Sequence, residues 1–197
     1  MIASGSRALA ALVLVALLSA CATSPTGRPQ LQFMPDAQIR SMGVEAYREM
    51  QDAEPVLEAG PRVARVECVA EAIIPQVPDE YAGNGWEVTV FESDQVNAFA
   101  LPGGKIGVYT GLLEVTENPD QLAAVIAHEI AHVMAEHPNE LMSTVTATAL
   151  GLGALQVAAG DDPQRPLLMA VLGVGAPVGI ILPVSRTHES EADGLGL

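Results

Sequence analysis

Two histidines and a glutamate within one short stretch are the residues of this sequence best suited to metal chemistry. His128 and His132 stand four residues apart, and Glu129 directly follows the first of them. In a helix, residues four apart lie on one face, so both imidazoles can reach the same ion. Zinc lowers the pKa of a bound water towards neutrality, and a neighbouring carboxylate can take its proton. The pattern therefore predicts one zinc ion per chain, with Glu129 as the general base of a hydrolase.

The residues around this motif argue against its being two surface histidines on an ordinary helix. Positions 122–127 and 130–134, apart from His132, are all apolar. A helix of that composition is buried, and a charged Glu129 inside it is costly unless it is paired or metal-bound. We therefore favour a functional site over a chance pattern.

A third zinc ligand has two candidates in the sequence. His137 lies about 140° round the helix from His132, so it does not face the same ion. We expect His137 to be a cation that the helix dipole favours at the C-terminal end of the helix, rather than a ligand. Glu189 and Asp193 lie four residues apart, on one face of a later helix. Glu189 can ligate, and Asp193 can accept a hydrogen bond from the other ring N–H of a ligand histidine. The alternative for this segment is a solvated acidic helix start.

Local signals predict the helix that must carry the motif. Asn118 can cap a helix, Pro119 suits its first position, and the side chain of Gln121 can reach back as in a capping box. We expect this helix to run to about His137, where Pro138 stops it.

The neighbouring elements follow from hydrophobic periodicity and from turn residues. The segment 102–105 contains Pro-Gly-Gly, which predicts a turn that joins two strands into a hairpin. The predicted elements are helices that begin near 36 and at 61, a helix over 139–159, a loop over 78–85, and strands over 86–91, 96–101 and 106–109.

The N-terminal residues have the features of a secretory signal peptide. Arg7 is followed by an uninterrupted apolar run over 8–18, which then ends in Leu-Ser-Ala-Cys at Cys21. That ending is typical of a bacterial lipobox, so we expect residues 1–20 to be cleaved and Cys21 to be acylated. The alternative is an ordinary signal peptide with a chance cysteine. Residues 21–34 would then form a lipid-anchored tether, and Ala22 after the cysteine suggests the outer membrane.

Charge and composition exclude some classes of partner. The chain has 9 Lys and Arg against 24 Asp and Glu, a formal net charge of −15. Such a surface repels phosphate backbones, so we expect no nucleic-acid partner. Cys68 is expected to be a small buried residue of a helix. The apolar segment 167–184 is short and interrupted by Gly and Pro, which favours a buried or membrane-apposed helical hairpin over a transmembrane helix. The oligomeric state is not predicted.

Four stretches occur in the order and at the spacing of one known family: 96–104 (VNAFALPGG), 109–113 (YTGLL), 128–132 (HEIAH) and 185–193 (SRTHESEAD). They resemble the HtpX and CAAX prenyl endopeptidase family of zinc metallopeptidases, in its bacterial lipoprotein branch. The resemblance implies a mainly helical α+β, zincin-like domain over 35–197, with a small antiparallel hairpin sheet beside the HExxH helix.

The resemblance also implies a role for each matching residue. His128, His132 and Glu189 would bind zinc, Glu129 would be the general base, and Asp193 would orient a ligand histidine.

A substrate would lie as an added strand along the edge at Asn97, Ala98 and Phe99. The implied substrates are unfolded or misassembled envelope proteins, at the periplasmic face of the outer membrane. The alternative is a weakly active or inactive assembly lipoprotein with a chaperone-like role. Members of the family continue beyond Asp193 for longer than this sequence does, so we expect the C-terminal part of the domain to be missing.

Overall fold

The computed structural model describes residues 21–83, 85–158 and 182–196. The chain divides into two compact units, one of residues 35–138 with 185–197 and the other of residues 1–34 with 139–184. The first unit contains His128, Glu129 and His132.

The first unit combines a small sheet with several helices. Its strands are β3 (Val56–Leu57), β4 (Glu87–Phe91), β5 (Ala98–Leu101) and β6 (Lys105–Tyr109). Its helices are α1 (Asp36–Ala53), α2 (Pro61–Ile73), α3 (Asp79–Ala82), α4 (Thr110–Val115) and α5 (Pro119–Met134), with a 3-10 turn at Ile74–Gln76. Two further helices, α6 (His137–Ala158) and α7 (Leu182–Leu195), each contribute residues to both units.

The sheet is mixed, with the strand order β3-β4-β6-β5. The expected hairpin is confirmed, since β5 and β6 pair antiparallel through a turn in which Gly103 and Gly104 both have positive φ. Strands β4 and β6 pair in parallel. This pairing was not predicted, because β5 lies between β4 and β6 in the sequence. In the sheet, tertiary packing places β6 between β4 and β5.

Side chains of the sheet alternate between two apolar layers, as the two-residue repeat of a strand requires. Val90 and Val108 point into the larger layer with α2 and α5, whereas Phe91 and Tyr109 point to the other side, where Tyr47 of α1 packs. The large side chains with almost no exposed surface in the two layers are Tyr47, Val66, Val90, Phe91, Ile106, Val108, Leu122, Ile126 and Ile130. The sheet therefore lies between α1 on one face and the pair α2 and α5 on the other.

Three expectations about this unit are wrong. The segment expected as a loop over 78–85 contains helix α3. Helix α5 ends at Met134 rather than at His137, because Glu136 adopts a positive φ of 56° and Pro138 is the second residue of α6. A proline at the start of a helix costs little, so Pro138 begins a helix here instead of ending one. Cys68 is exposed on α2.

In the second unit, the residues expected to form a tether pack on α6. Strands β1 (Cys21–Thr23) and β2 (Pro29–Leu31) pair antiparallel. The guanidinium of Arg28 donates two hydrogen bonds to the carboxylate of Glu140, at 2.8 and 2.6 Å, and Gln30 donates a third at 3.1 Å. Bidentate Arg–carboxylate pairs of this kind have a well-defined geometry, so they hold this segment against α6.

Among the described residues, no helix is both long and apolar enough to cross a bilayer. Most of the apolar segment 167–184 lies outside the described residues, so its expected packing stays a prediction.

Candidate metal centre

The N-terminus of α5 is capped by its own sequence. The side chain of Asn118 accepts a hydrogen bond from the backbone N–H of Gln121 at 3.0 Å. The side chain of Gln121 reaches back and accepts from the N–H of Glu117 at 2.7 Å, one residue before the cap. The predicted capping device is therefore present, with its return bond shifted by one residue.

One face of α5 is anchored in the core. Leu122, Ile126 and Ile130 follow one another at intervals of four and are almost fully buried. The side chains of His128 and His132 are 24% and 19% exposed. Because the apolar face is locked into the core, the rotation of the helix about its own axis is fixed, and with it the direction of both imidazoles.

Helix α7 brings Glu189 to the two histidines. The Nε2 atoms of His128 and His132 are 3.1 Å apart, and they lie 3.3 and 3.6 Å from the two carboxylate oxygens of Glu189. Ligand atoms on a tetrahedral zinc, at about 2.0–2.1 Å from the ion, are about 3.3 Å from one another. The distances are close to that value, so the three side chains can surround one zinc ion, and within the described part of the chain this is the one such group of metal-ligating side chains.

Asp193 lies behind the first histidine. Its Oδ1 is 3.0 Å from Nδ1 of His128, which can donate its proton to that carboxylate. The hydrogen bond leaves the lone pair of Nε2 directed towards Glu189 and His132. The end of α7 lies close to α5, since a Cβ built on Gly196 would be 3.0 Å from the Cα of His128.

Glu129 is largely withdrawn from water. Burial, opposed by His128 and reinforced by the negative charge of Glu189, raises its pKa to about 7. A carboxylate with a pKa near neutrality can both accept and release a proton at the pH at which an enzyme works. This is the property that a general base requires.

His137 differs from the expectation that it is a cation at the end of a helix. It is the first residue of α6, and its side chain is 3% exposed. Burial lowers its pKa to about 4, against the opposing effect of Glu191, so the ring is neutral at neutral pH. Its Nδ1 is 2.9 Å from Nδ1 of His132, its Nε2 is 3.1 Å from Oε2 of Glu191, and its ring stacks on that of His188 at 4.1 Å.

The sequence did not predict that His137 and Glu191 hydrogen-bond to each other beside His132. Glu191 lies between Glu189 and Asp193, and nothing local distinguishes it from them. Only a signal that linked residue 137 to residue 191 could have predicted the contact.

The expected substrate edge coincides with an edge of the sheet. Strand β5 pairs with β6 on one side, has no strand partner on its other side in the described four-stranded sheet, and contacts α5. Asn97 precedes the strand and is exposed, Ala98 is buried, and the ring of Phe99 packs over Gly107 in an aromatic cluster. Phe99 therefore supplies backbone rather than side chain to any partner of this edge.

The fold and the site together define a class of protein. An HExxH helix, a glutamate from a later helix and a sheet edge beside them are typical of zincin-type metallopeptidases. The model of peptidase family M48 matches residues 62–197, and the chain belongs to that family.

Several characterised relatives carry protease names. The mitochondrial metalloendopeptidase OMA1 of Schizosaccharomyces pombe is 39% identical over 112 residues, which are 57% of this chain and 32% of the relative. The metalloprotease LoiP of Escherichia coli is 34% identical over 170 residues, 83% of this chain and 63% of the relative. The beta-barrel assembly-enhancing protease of Yersinia pestis is 33% identical over 110 residues, 53% of this chain and 22% of the relative. The chain thus spans between about a fifth and under two thirds of these relatives' lengths. Their names support an M48 metallopeptidase without specifying the HtpX and CAAX branch.

Proposed function

We propose that this chain is a zinc metalloendopeptidase whose ion is held by His128, His132 and Glu189. The observation that carries the proposal is the convergence of three side chains: the two Nε2 atoms are 3.1 Å apart, and the carboxylate of Glu189 lies 3.3 Å from one through Oε2 and 3.6 Å from the other through Oε1. When bound, zinc supplies a water of lowered pKa and polarises the substrate carbonyl.

The protein's own groups then carry the proton. Glu129 accepts a proton from the attacking water and donates it to the departing amide nitrogen, so one peptide bond and one water become a carboxylate and an amine. Asp193 accepts from Nδ1 of His128 and keeps that ring oriented. The free edge of β5 offers backbone groups to an extended peptide, which suits an unfolded segment as substrate.

The test compares the full chain with its Glu129→Gln variant. Both are assayed for zinc content and for cleavage of casein, with Glu117→Gln, an exposed glutamate outside the site, as the matched control. Because Glu129 is not one of the proposed ligands, we expect Glu129→Gln to retain zinc and to lose cleavage by about 10²- to 10⁴-fold. Zinc content with equal cleavage in both proteins would contradict the peptidase role and favour a chaperone-like binding protein. A wild-type protein that binds no zinc would contradict the ligand assignment.

The location and the substrates of the protein are a separate part of the proposal. We infer that residues 1–20 are a lipoprotein signal peptide, that Cys21 is acylated, that 21–34 lead into a peptidase domain over 35–197, and that the protein faces the periplasm from the outer membrane. Unfolded or misassembled envelope proteins are the proposed substrates, and the name of the Yersinia relative supports such a setting. Radiolabelled palmitate should enter the wild type and not Cys21→Ser, and label in both proteins would refute the anchor.

A further inference from the structure

We propose that His137 and Glu191 are positioning residues that fix the tautomer of His132, so that its Nε2 carries a lone pair towards His128 and Glu189. The proposal rests on the proposed function in that it assigns Nε2 of His132 to the metal. It goes beyond that function because it names two residues outside the ligand set and assigns one proton to Nε2 of His137 and one to Nδ1 of His132.

The proton positions follow from the distances that link Glu191 to His137 and His137 to His132. An ionised carboxylate only accepts hydrogen bonds, so Glu191 requires a proton on Nε2 of His137, 3.1 Å away. The His137 side chain is 3% exposed, which favours the neutral ring, and its Nδ1 then has a lone pair 2.9 Å from Nδ1 of His132. His132 must therefore carry its proton on Nδ1, which leaves its Nε2 unprotonated and able to ligate.

Burial distinguishes this arrangement from the one behind His128. The side chains of His137 and Glu191 are 3% and 4% exposed, whereas that of Asp193 is 73% exposed. Water can compete for the hydrogen bond of Asp193 and can replace it, but it has little access to the bonds of His137. The orientation of His132 therefore depends on protein groups more than that of His128 does.

The packing around His137 fits a ring held in one position. The ring stacks on His188 with an angle of 12° between the planes and a centroid distance of 4.1 Å. The stacked contact restricts rotation of His137 about its side-chain bonds. Since His137, Glu191 and His188 are all buried, the relay of hydrogen bonds from Glu191 through His137 to His132 is already formed where the first residue of α6 packs against α7.

Two amide substitutions separate the two hydrogen bonds of His137. The amide oxygen of an asparagine is bonded to Cγ, as Nδ1 of histidine is, so His137→Asn can still accept from His132. The amide nitrogen of a glutamine is two bonds from Cγ, as Nε2 is, so His137→Gln can still donate to Glu191 but offers His132 no acceptor in the same place. His137→Leu removes both bonds.

The experiment has two readouts on the full chain. Long-range ¹H–¹⁵N correlation spectra of the ¹⁵N-labelled protein without metal report which ring nitrogen carries each proton. Competition with a chromogenic chelator gives the affinity for zinc ions. We expect His132 to be protonated on Nδ1, and we expect His137→Leu and His137→Gln to weaken zinc binding by about 10- to 100-fold while His137→Asn recovers most of the loss.

The outcomes separate this proposal from the proposed function. Protonation of His132 on Nε2, or equal loss of affinity in the asparagine and glutamine variants, would overturn the relay while zinc binding by the wild type still supported the metal site. A wild type with the expected tautomer that binds no zinc would support the relay and refute the proposed function. If the leucine variant fails to fold, the wild-type spectrum and the two amide variants still decide.

Discussion

Substitution of Gly107 by alanine tests how the strand edge beside the metal site is built. Gly107 lies opposite Phe99 in the β5–β6 pair, and the phenyl ring of Phe99 covers it. A Cβ at position 107 would overlap Cζ and both Cε atoms of that ring, so the ring would have to move by about 1 Å or more.

The cost of that movement can be worked from the contacts of the ring. Phe99 packs against three aromatic rings at centroid distances of 5.9 to 6.4 Å, those of Tyr47, Phe91 and Tyr109. Each pair contributes about 0.5–1.5 kcal/mol beyond burial, and overpacking of a core costs about 1–3 kcal/mol. We therefore expect Gly107→Ala to lower the free energy of unfolding by about 2 kcal/mol.

A double-mutant cycle isolates the contact between the ring and position 107. Phe99→Ala alone should cost about 3–4 kcal/mol, because it removes the ring from the cluster. In that background, Gly107→Ala should be neutral or stabilising by up to about 1 kcal/mol, since alanine restricts the unfolded chain more than glycine does. The coupling energy is then about 2–3 kcal/mol.

Urea unfolding followed by far-UV circular dichroism measures all four proteins. If Gly107→Ala has the same effect with and without the ring, the coupling is zero and the ring does not occupy the space above Gly107. The comparison would then refute the conclusion that Phe99 serves the packing of the sheet and leaves only its backbone at the edge.

Three other positions give further predictions. Asp193→Asn should weaken zinc binding by at most about 10-fold, because its exposed amide oxygen can still accept from His128. The loss should be smaller than that of His137→Leu, and chelator competition measures both. A loss of zinc affinity in Asp193→Asn larger than that in His137→Leu would contradict this prediction. Tyr47→Phe should cost about 1–3 kcal/mol in urea unfolding, because its buried hydroxyl hydrogen-bonds to Thr89 at 2.6 Å and to the carbonyl of Ile106 at 3.0 Å; an unchanged midpoint and slope would show that these bonds contribute nothing net. Glu136→Asn should raise the melting temperature by about 2–4 °C, since asparagine tolerates a positive φ better than glutamate does, and a lower melting temperature would contradict this account of the turn. Burial raises the pKa of Glu136 above that of the unfolded chain, and the charge of Asp36 adds to the effect. The stability of the wild type relative to Glu136→Gln is therefore greatest below about pH 4.5 and falls as the pH rises through the folded pKa. A difference in melting temperature between the two proteins that stays constant from pH 4 to 8 would refute this.

Sequence reasoning predicted the features that depend on neighbours along the chain. The cap at Asn118, the spacing of His128 and His132 on one face, and the hairpin of β5 and β6 are local, so residue types at fixed offsets determine them. The placement of Glu189 opposite the two histidines was expected from a resemblance, and the distances agree with that expectation.

The features that were missed depend on tertiary contacts or on an unusual backbone. Glutamate rarely adopts a positive φ, so nothing in the sequence indicated that Glu136 ends helix α5 there. The neutral, buried state of His137 depends on groups of α7, more than fifty residues later, which displaced the simpler interpretation as a cation at a helix end. The parallel pairing of β4 with β6 likewise has no local signal.

The arrangement of α5 and α7 has a consequence for the connectivity of the chain. His132 and Glu189 are 57 residues apart, and an ion that holds both closes a loop of that length. By the entropy of loop closure, a cross-link over such a distance would disfavour the unfolded chain by about 4 kcal/mol if it persisted there, comparable to a disulfide. The same ion would keep α7 attached to α5 after a single cut anywhere in the intervening residues. Metal in this protein would thus act as a reversible cross-link between α5 and α7, and its removal would lower the free energy of unfolding as well as the activity.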